Sequence, residues 1–155
     1  ALDPTNGEIL AFVSAPNYDT NPFVNGIGNK AYKVLRESER RPTFNRALNG
    51  RYAPGSTIKG FMGLIAMRNG IDPKEKIFAP GWFSLPNSKR RFRCWKRNGH
   101  GWVNLQDSIE QSCDVYFYRV ANRLGINTLS KEMKGFGFGT GTGVDLPYTR
   151  QSAGL

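Results

Sequence analysis

One amphipathic helix with a clear beginning and end constrains the fold of this chain more than any other sequence feature. After the turn-forming Pro54-Gly55, apolar residues recur at the i, i+3, i+4 and i+7 spacing of a single helix face. These residues are Ile58, Phe61, Met62 and Ile65. Asn69-Gly70 supplies a stop signal, so a helix is predicted from Ser56 to this point. Such a helix is stable only when other elements cover its apolar face.

The other predicted elements are one strand and several shorter helices. Residues 9–13 follow an Asn-Gly turn and are apolar on both faces, which predicts a strand buried in a sheet. Asn104 and Asn127 are each expected to cap a helix. The predicted helices cover 31–40, 104–111, 115–124 and 127–134.

Two stretches lack a helix or strand pattern. A loop rich in Pro, Gly and basic residues is predicted from Asp72 to about Trp102. The Gly-rich residues 135–143 are predicted to form a flexible connection to the apolar Val144-Asp145-Leu146. The sequence pattern therefore predicts one strand and several helices.

Composition limits the kinds of protein this chain can be. Its 155 residues allow one domain, and a hydrophobic fraction of 39% is too high for a disordered chain. The net charge of +10 suggests nucleic acid, membrane lipid or an acidic substrate as partner. One histidine and two cysteines exclude a multi-histidine metal site and a dense disulfide framework. Because the chain opens on Ala1-Leu2-Asp3-Pro4 without an initiator Met, we expect it to be part of a longer protein.

Ser56 and Lys59 stand three residues apart at the start of the predicted helix. Both side chains therefore lie on one face, close enough for the amine to take the hydroxyl proton. Such a pair can be a nucleophile with its base, and the backbone N–H of Ser56 can stabilise a developing oxyanion. The alternative is a capped helix with a solvated lysine, which is common for so short a motif.

A second short motif, Ser112-Cys113-Asp114, lies between two predicted helices. A turn of this kind can present a hydroxyl and a polar side chain to the serine of an S-x-x-K motif. The alternative is a plain helix junction in which Asp114 caps the helix beginning at Val115. The order of the two motifs, each placed beside a helix, favours the catalytic interpretation.

Several stretches match the motifs of one protein family. They are Leu2 to Ala11, Asn45-Arg46-Ala47, Tyr52, Pro54 to Lys59, Pro80-Gly81-Trp82, Arg93-x-Trp95, Gly99-His100-Gly101 and Ser112 to Tyr118. On these residues the chain resembles the transpeptidase domain of class B penicillin-binding proteins, in particular the cell-elongation branch. The resemblance implies an α+β fold of the serine β-lactamase and transpeptidase type, with helices packed on an antiparallel sheet. It also implies that residues 1–155 are the N-terminal part of this domain, with the third motif and most strands lying beyond residue 155.

The same resemblance implies peptidoglycan D,D-transpeptidase activity, in which a serine acyl-enzyme forms on D-Ala-D-Ala stem peptides and β-lactams acylate the same serine. Ser56 is then the nucleophile, Lys59 the general base and Ser112 a proton relay to the leaving group. Asp114 hydrogen-bonds near Lys59 and the peptide amide. Catalysis needs no cofactor. The third motif, Lys-Thr-Gly, is absent, because Gly139-Thr140-Gly141 lacks the lysine, so the segment alone is not expected to be active.

Location and partners follow from the resemblance alone. It implies a protein anchored in the inner membrane and facing the periplasm, although no run approaches the roughly 18 apolar residues of a membrane span. The partners implied are peptidoglycan stem peptides, β-lactams and a membrane glycosyltransferase of the elongation machinery. Nucleic acid is not among them.

Cys94, His100 and Cys113 form the pattern C-x5-H-x12-C, which suits tetrahedral zinc. Related enzymes are expected to bind a metal here with an Asp at the Cys94 position and a further Asp at Ala79. The chain therefore keeps three candidate ligands of a structural zinc and lacks a fourth. A Cys94–Cys113 disulfide, or two unconnected thiols beside a surface histidine, are the alternatives.

Residues 89–97 contain six basic side chains and two aromatic ones. Basic and aromatic residues interleaved in this way are typical of modules that bind nucleic acid or another polyanion. A binding module is therefore the alternative function. A basic loop that simply faces water is the ordinary explanation of such a run.

Overall fold

The structure, a computed structural model, describes residues 1–144, and these fall into two compact units, 1–53 and 54–144. The first unit contains helices α1 (Asn29–Glu37) and α2 (Arg46–Asn49). The second contains helices α3 (Lys59–Arg68), α4 (Leu105–Glu110), α5 (Asp114–Leu124) and α6 (Ile126–Gly135), and strands β1 (Ile77–Ala79), β2 (Trp82–Phe83), β3 (Phe92–Arg93) and β4 (Gly101–Val103). Short 3-10 turns cover Asn21–Phe23 and Gly55–Ile58. The last two residues of the predicted Val144-Asp145-Leu146 segment lie outside the described part of the chain.

The first unit confirms the helix predicted over 31–40, which the structure places at α1, and contradicts the strand predicted over 9–13. Leu10 and Val13 are 67% and 78% exposed. Among the described residues, this run has a single isolated bridge, between Leu2 and Ile9, with a few hydrogen bonds to Ala1. The segment that pairs with this run, Ala1 and Leu2, is too short to form a sheet. The apolar pattern alone therefore does not produce a buried strand.

The helices of the second unit agree closely with the prediction. The Gly55–Ile58 turn leads directly into α3, which ends before Gly70, where φ is +80°. Asn104 caps α4 through a reciprocal capping box with Asp107. The start of α6 is different: Gly125 ends α5 with φ of +77° and α6 begins at once, so Asn127 does not cap it.

The loop predicted from Asp72 to Trp102 in fact contains four short strands. β1 pairs antiparallel with β4, and β2 pairs antiparallel with β3. Each strand has two or three residues, which is too short to show the alternation by which a strand is recognised in sequence. The two small antiparallel sheets agree with the sheet type implied by the family resemblance.

Helix α5 forms the centre of the second unit's core. Val115, Tyr116 and Val120 are fully buried, and α5 packs against α3, α4, α6 and strands β1, β2 and β3. This packing brings the N-terminal end of α5, with the Ser112-Cys113-Asp114 turn, beside α3. Among residues 1–144, no helix is long and apolar enough to cross a membrane.

The Gly-rich segment after α6 is more ordered than predicted. Phe136 and Phe138 each pack edge-on against Phe61 of α3, with ring centroids 5.2 Å apart. The prediction of a purely flexible connection is therefore wrong for these residues, because two aromatic side chains among the glycines have a partner in the core helix.

Candidate active site

Ser56 and Lys59 lie at the junction between a 3-10 turn and α3. Gly55 has φ of +59°, which favours glycine, and Thr57 Oγ1 donates to Pro54 O at 2.6 Å to close the turn. Ser56 is exposed on this turn, whereas Lys59, the first residue of α3, is only 7% exposed. The sequence thus presents a hydroxyl at the surface next to a buried amine.

In the described part of the chain, the hydrogen-bond acceptors of the buried Lys59 amine all belong to the second motif. Nζ donates to Ser112 O and to Ser112 Oγ, both at 2.9 Å, and to Asp114 Oδ1 at 2.6 Å. It also lies 5.8 Å from the ring centroid of Phe117. A buried amine needs such partners, so these contacts fix it in one place.

Ser112 connects the nucleophile candidate to this amine. Its Oγ lies 2.8 Å from Ser56 Oγ and 2.9 Å from Lys59 Nζ. The sequence predicted direct contact between Ser56 and Lys59. The structure instead places the Ser112 hydroxyl between them, because the acceptors of the second motif draw the amine towards that turn. The result is a hydrogen-bonded chain from Ser56 through Ser112 to Lys59.

The turn that carries Ser112 has an unusual backbone. Ser112 has φ of +51°, a left-handed conformation that is unfavourable for a residue other than glycine. Asp114 is the first residue of α5 and does not cap it; the N-cap residue is Cys113, which makes no side-chain capping bond. The capping role considered for Asp114 is therefore wrong, since its carboxylate binds Lys59 instead.

Cys94, His100 and Cys113 converge beside the same turn. One ligand atom from each lies within 4.8 Å of the others, and both cysteines are buried and free. Cys94 Sγ is 3.8 Å from His100 Nδ1 and accepts the backbone N–H of Asp114 at 3.3 Å. The structure therefore brings together all three residues that the sequence proposed as metal ligands.

This cluster fits the donor set of a zinc ion. The His100 Nε2 atom is buried and has no hydrogen-bond partner among residues 1–144. Burial, and then the nearby Lys96 ammonium, lowers the pKa of His100, which favours the neutral imidazole that binds metals. Burial raises the pKa of the Cys113 thiol, so a metal has to displace its proton. Zinc bound about 2.3 Å from sulfur and about 2.0 Å from nitrogen fits donors at this spacing.

Trp95 is a neighbour of the site that reasoning from residue chemistry missed. Its indole Nε1 donates to Gln111 O at 3.0 Å, next to Ser112 in the chain. Its ring meets the His100 ring edge-on, with centroids 5.4 Å apart. A single tryptophan in an irregular loop gives no periodic signal, and only its place in the Arg93-x-Trp95 stretch singled it out.

The basic cluster of residues 89–97 has internal partners. The Arg91 guanidinium lies 4.4 Å from the centroid of the Trp82 ring, and the Arg90 guanidinium lies 5.0 Å from that of Phe92. Stacking of this kind uses the aromatic faces that a nucleic-acid module would offer to bases.

Comparison with known proteins gives the family context. Residues 1–154 match the family model described as penicillin binding protein transpeptidase domain. The chain is 48% identical over 156 residues to the peptidoglycan D,D-transpeptidase MrdA of Acinetobacter baumannii, covering 100% of this chain and 23% of that protein. It therefore spans about a quarter of the length of that curated relative.

Comparison with solved structures gives the same family. The structure of Pseudomonas aeruginosa PBP2 in complex with WCK 5153 matches with a TM-score of 0.79 and 47% identity, over 89% of this chain and 30% of that one. A complex between PBP2 and MreC from Helicobacter pylori matches with a TM-score of 0.84 and 40% identity, over 94% of this chain and 27% of that one. These matches confirm the predicted α+β transpeptidase-type fold and give the nucleic-acid alternative no support.

Proposed function

The chain belongs to the penicillin-binding protein transpeptidase family, and from this premise we propose that it carries the acyl-enzyme centre of a peptidoglycan D,D-transpeptidase. The observation that supports this most directly is the hydrogen-bonded chain from Ser56 Oγ through Ser112 Oγ to Lys59 Nζ. A serine becomes an effective nucleophile when a base can take its proton along such a path. The substrate class is the D-Ala-D-Ala end of a stem peptide.

In the proposed acylation step, Lys59 as a neutral amine accepts the Ser56 proton through the Ser112 hydroxyl. Ser56 Oγ forms a bond to the carbonyl carbon of the penultimate D-Ala, and the peptide C–N bond breaks. The ammonium formed is stabilised by Asp114 Oδ1 and by the carbonyl of Ser112. It returns the proton through Ser112 to the departing D-Ala nitrogen.

The second half of the reaction uses the same residues in reverse. An amine from a neighbouring strand attacks the ester carbonyl, Lys59 receives the proton that the amine loses, and Ser56 recovers it as the ester bond breaks. The backbone N–H of Ser56 stabilises the oxyanion in both halves. We propose that the second oxyanion donor belongs to the third motif and, like most sheet strands, lies beyond residue 155.

We extend the proposal to the setting of the reaction. The relatives named MrdA and PBP2 support a role in cell elongation and shape, and one PBP2 was solved together with MreC. The complete protein is proposed to be held in the inner membrane with this domain in the periplasm, to bind β-lactams, and to act beside a membrane glycosyltransferase.

The test of the activity is labelling of the complete protein that contains these residues with a fluorescent penicillin, followed by mass spectrometry of the labelled peptide. The adduct is expected on Ser56 and is expected to disappear in Ser56→Ala. The control is Ser130→Ala, which replaces an exposed serine on α6 and should be labelled as strongly as the wild type. An adduct on another residue, or none in the wild type, would contradict the proposal.

We also propose that Cys94, His100 and Cys113 hold a structural zinc. The ion would join the loop containing Cys94 to the turn containing Cys113, and it takes no part in the proton transfers described above. Elemental analysis of the reduced protein should find one zinc per chain, lost in Cys94→Ala and retained in Ser84→Ala. Zinc at full stoichiometry in Cys94→Ala, or none in the wild type, would remove the site. A mass about 2 Da below that of the reduced chain would indicate a disulfide instead.

A further inference from the structure

The catalytic turn adopts a conformation that its own sequence does not favour. Ser112 is left-handed, and within the turn the N–H groups of Ser112 and Cys113 donate to Ile109 O and Ser108 O at 3.1 and 2.9 Å. These two bonds hold the chain to the end of α4. They leave the carbonyl of Gln111, at the peptide that enters Ser112, without a backbone partner in the described part of the chain.

Trp95 supplies that missing partner. Its indole N–H donates to Gln111 O at 3.0 Å. On the other side of Ser112, the N–H of Asp114 donates to the Sγ of the adjacent Cys94 at 3.3 Å. Two consecutive residues of one loop therefore bracket the catalytic turn, one before Ser112 and one after it.

The position of this bond gives it influence over the Ser112 side chain. The φ angle of Ser112 is the rotation about its own N–Cα bond, relative to the peptide plane that contains Gln111 O and Ser112 N. The N–H of this plane is held by Ile109 and the C=O by Trp95. With this plane held, and with the N–H of Cys113 on the far side of Ser112 held by Ser108 O, the φ of Ser112 has little freedom to change. The hydrogen bonds of Oγ to Ser56 and Lys59 then set the direction of the hydroxyl.

Trp95 is itself well anchored, as a positioning role requires. The N–H of Cys94 donates to Gly81 O and the N–H of His100 donates to Ala79 O, both at 2.9 Å. The Trp95 ring packs edge-on against His100. Trp95 is 66% exposed, so burial in the core does not explain the position of its ring, whereas the hydrogen bond does.

We infer that Trp95 is a positioning residue, whose indole N–H holds the Gln111–Ser112 peptide so that the Ser112 hydroxyl bridges Ser56 and Lys59. This inference rests on the proposed acyl-enzyme function. Small displacements of a group that transfers a proton reduce the rate of the chemical step more than they reduce binding. Loss of the indole N–H should therefore slow acylation and leave the affinity for the acylating agent unchanged.

The test compares Trp95→Phe, which keeps an aromatic ring and removes the donor, with Trp102→Phe. Trp102 on β4 is 64% exposed, and its ring packs on Phe78, so it is a matched control. Stopped-flow labelling of the complete protein with a fluorescent penicillin gives the acylation rate constant and the dissociation constant separately. We expect the rate constant of Trp95→Phe to fall about tenfold with an unchanged dissociation constant, and Trp102→Phe to stay within about twofold of wild type.

Amide hydrogen exchange provides a second measurement that does not depend on activity. Peptides covering residues 108–114 should exchange faster in Trp95→Phe and at the wild-type rate in Trp102→Phe. An acylation rate constant at the wild-type level in Trp95→Phe would overturn the inference, and so would unchanged exchange in this segment. A weaker dissociation constant with an unchanged rate constant would also overturn it and assign Trp95 to ligand contact. If the wild type is not acylated, the proposed function fails, and the exchange result alone decides whether Trp95 positions the turn.

Discussion

Replacement of Ser112 separates its chemical role from its backbone role, because alanine and glycine both remove the hydroxyl and only glycine suits the backbone. The hydroxyl bridges Ser56 Oγ at 2.8 Å and Lys59 Nζ at 2.9 Å. Without it the proton of Ser56 has no bonded path to the amine. Positioned acid and base groups contribute about 100-fold to 10,000-fold in rate. Both variants should therefore acylate at least about 100 times more slowly than wild type.

The stability of the two variants should differ in a defined direction. Losing the bond to Ser56 costs about 1 kcal/mol at most, because Ser56 is exposed and can bond to water. Losing the bond to the buried Lys59 costs about 1 to 3 kcal/mol, and this loss is common to both variants. A left-handed φ of +51° costs alanine about 1 to 2 kcal/mol and costs glycine almost nothing. After allowance for the greater entropy of unfolded glycine, Ser112→Gly should be more stable than Ser112→Ala by about 1 kcal/mol.

Two measurements on the complete protein check this pair of variants. Stopped-flow labelling with a fluorescent penicillin gives the acylation rate, and urea unfolding gives the free energy of unfolding. Near-normal acylation by either variant would show that the proton passes directly from Ser56 to Lys59 and would refute the relay. A glycine variant less stable than the alanine variant would refute the left-handed conformation of Ser112.

Three further changes test other parts of the site. Ser56→Ala should abolish penicillin labelling and change the free energy of unfolding by less than about 1 kcal/mol in urea titration, because its side chain is exposed. Lys59→Met should abolish labelling and also lower the free energy of unfolding by about 2 kcal/mol, since it leaves the half-buried Asp114 carboxylate without its partner. Asp114→Asn in the same background should recover part of that loss, and no recovery would contradict the ion-pair explanation. Gly99→Ala should destabilise the protein far more than Gly70→Ala, because a Cβ at residue 99 would lie 2.3 Å from a backbone carbonyl oxygen, whereas a Cβ at residue 70 would meet nothing within 4 Å. Equal melting temperatures of the two variants would contradict this.

The sequence predicted helices where local signals are strong. The spacing of Ile58 and Ile65, the Asn104 cap and the glycine at residue 125 each act within a few residues, so the bounds of α4 and α5 and the end of α3 were predicted almost to the residue. The α-helix α3 begins three residues after the predicted start, because Gly55–Ile58 form a 3-10 turn. The strands were not predicted, because β1 pairs with β4 across more than twenty residues and neither is long enough to alternate. The strand predicted over 9–13 failed for the opposite reason: it has the pattern, but no partner strand among residues 1–144.

In the candidate site, too, local signals were predictable and tertiary contacts were not. Spacing placed Ser56 and Lys59 together because three residues on a helix fix their distance. The motif pattern singled out Ser112, Asp114 and the Cys94 cluster, and the family resemblance gave them their roles, but their meeting depends on tertiary packing. The insertion of the Ser112 hydroxyl between Ser56 and Lys59 was not predicted, since it follows from a left-handed φ at a serine, which no residue type signals.

The loop that carries Cys94 and Trp95 has a fixed position despite its irregular sequence, and two glycines explain why. A Cβ at Gly81 would lie 2.2 Å from the carbonyl oxygen of Arg97, and a Cβ at Gly99 would lie 2.3 Å from that of Ala79. Both glycines also have positive φ. The two chain segments therefore cross at a separation that no other residue permits. In the sequence, these glycines indicate flexibility. In the structure, they allow the two backbone segments to cross closely, and this crossing holds Trp95 against the catalytic turn.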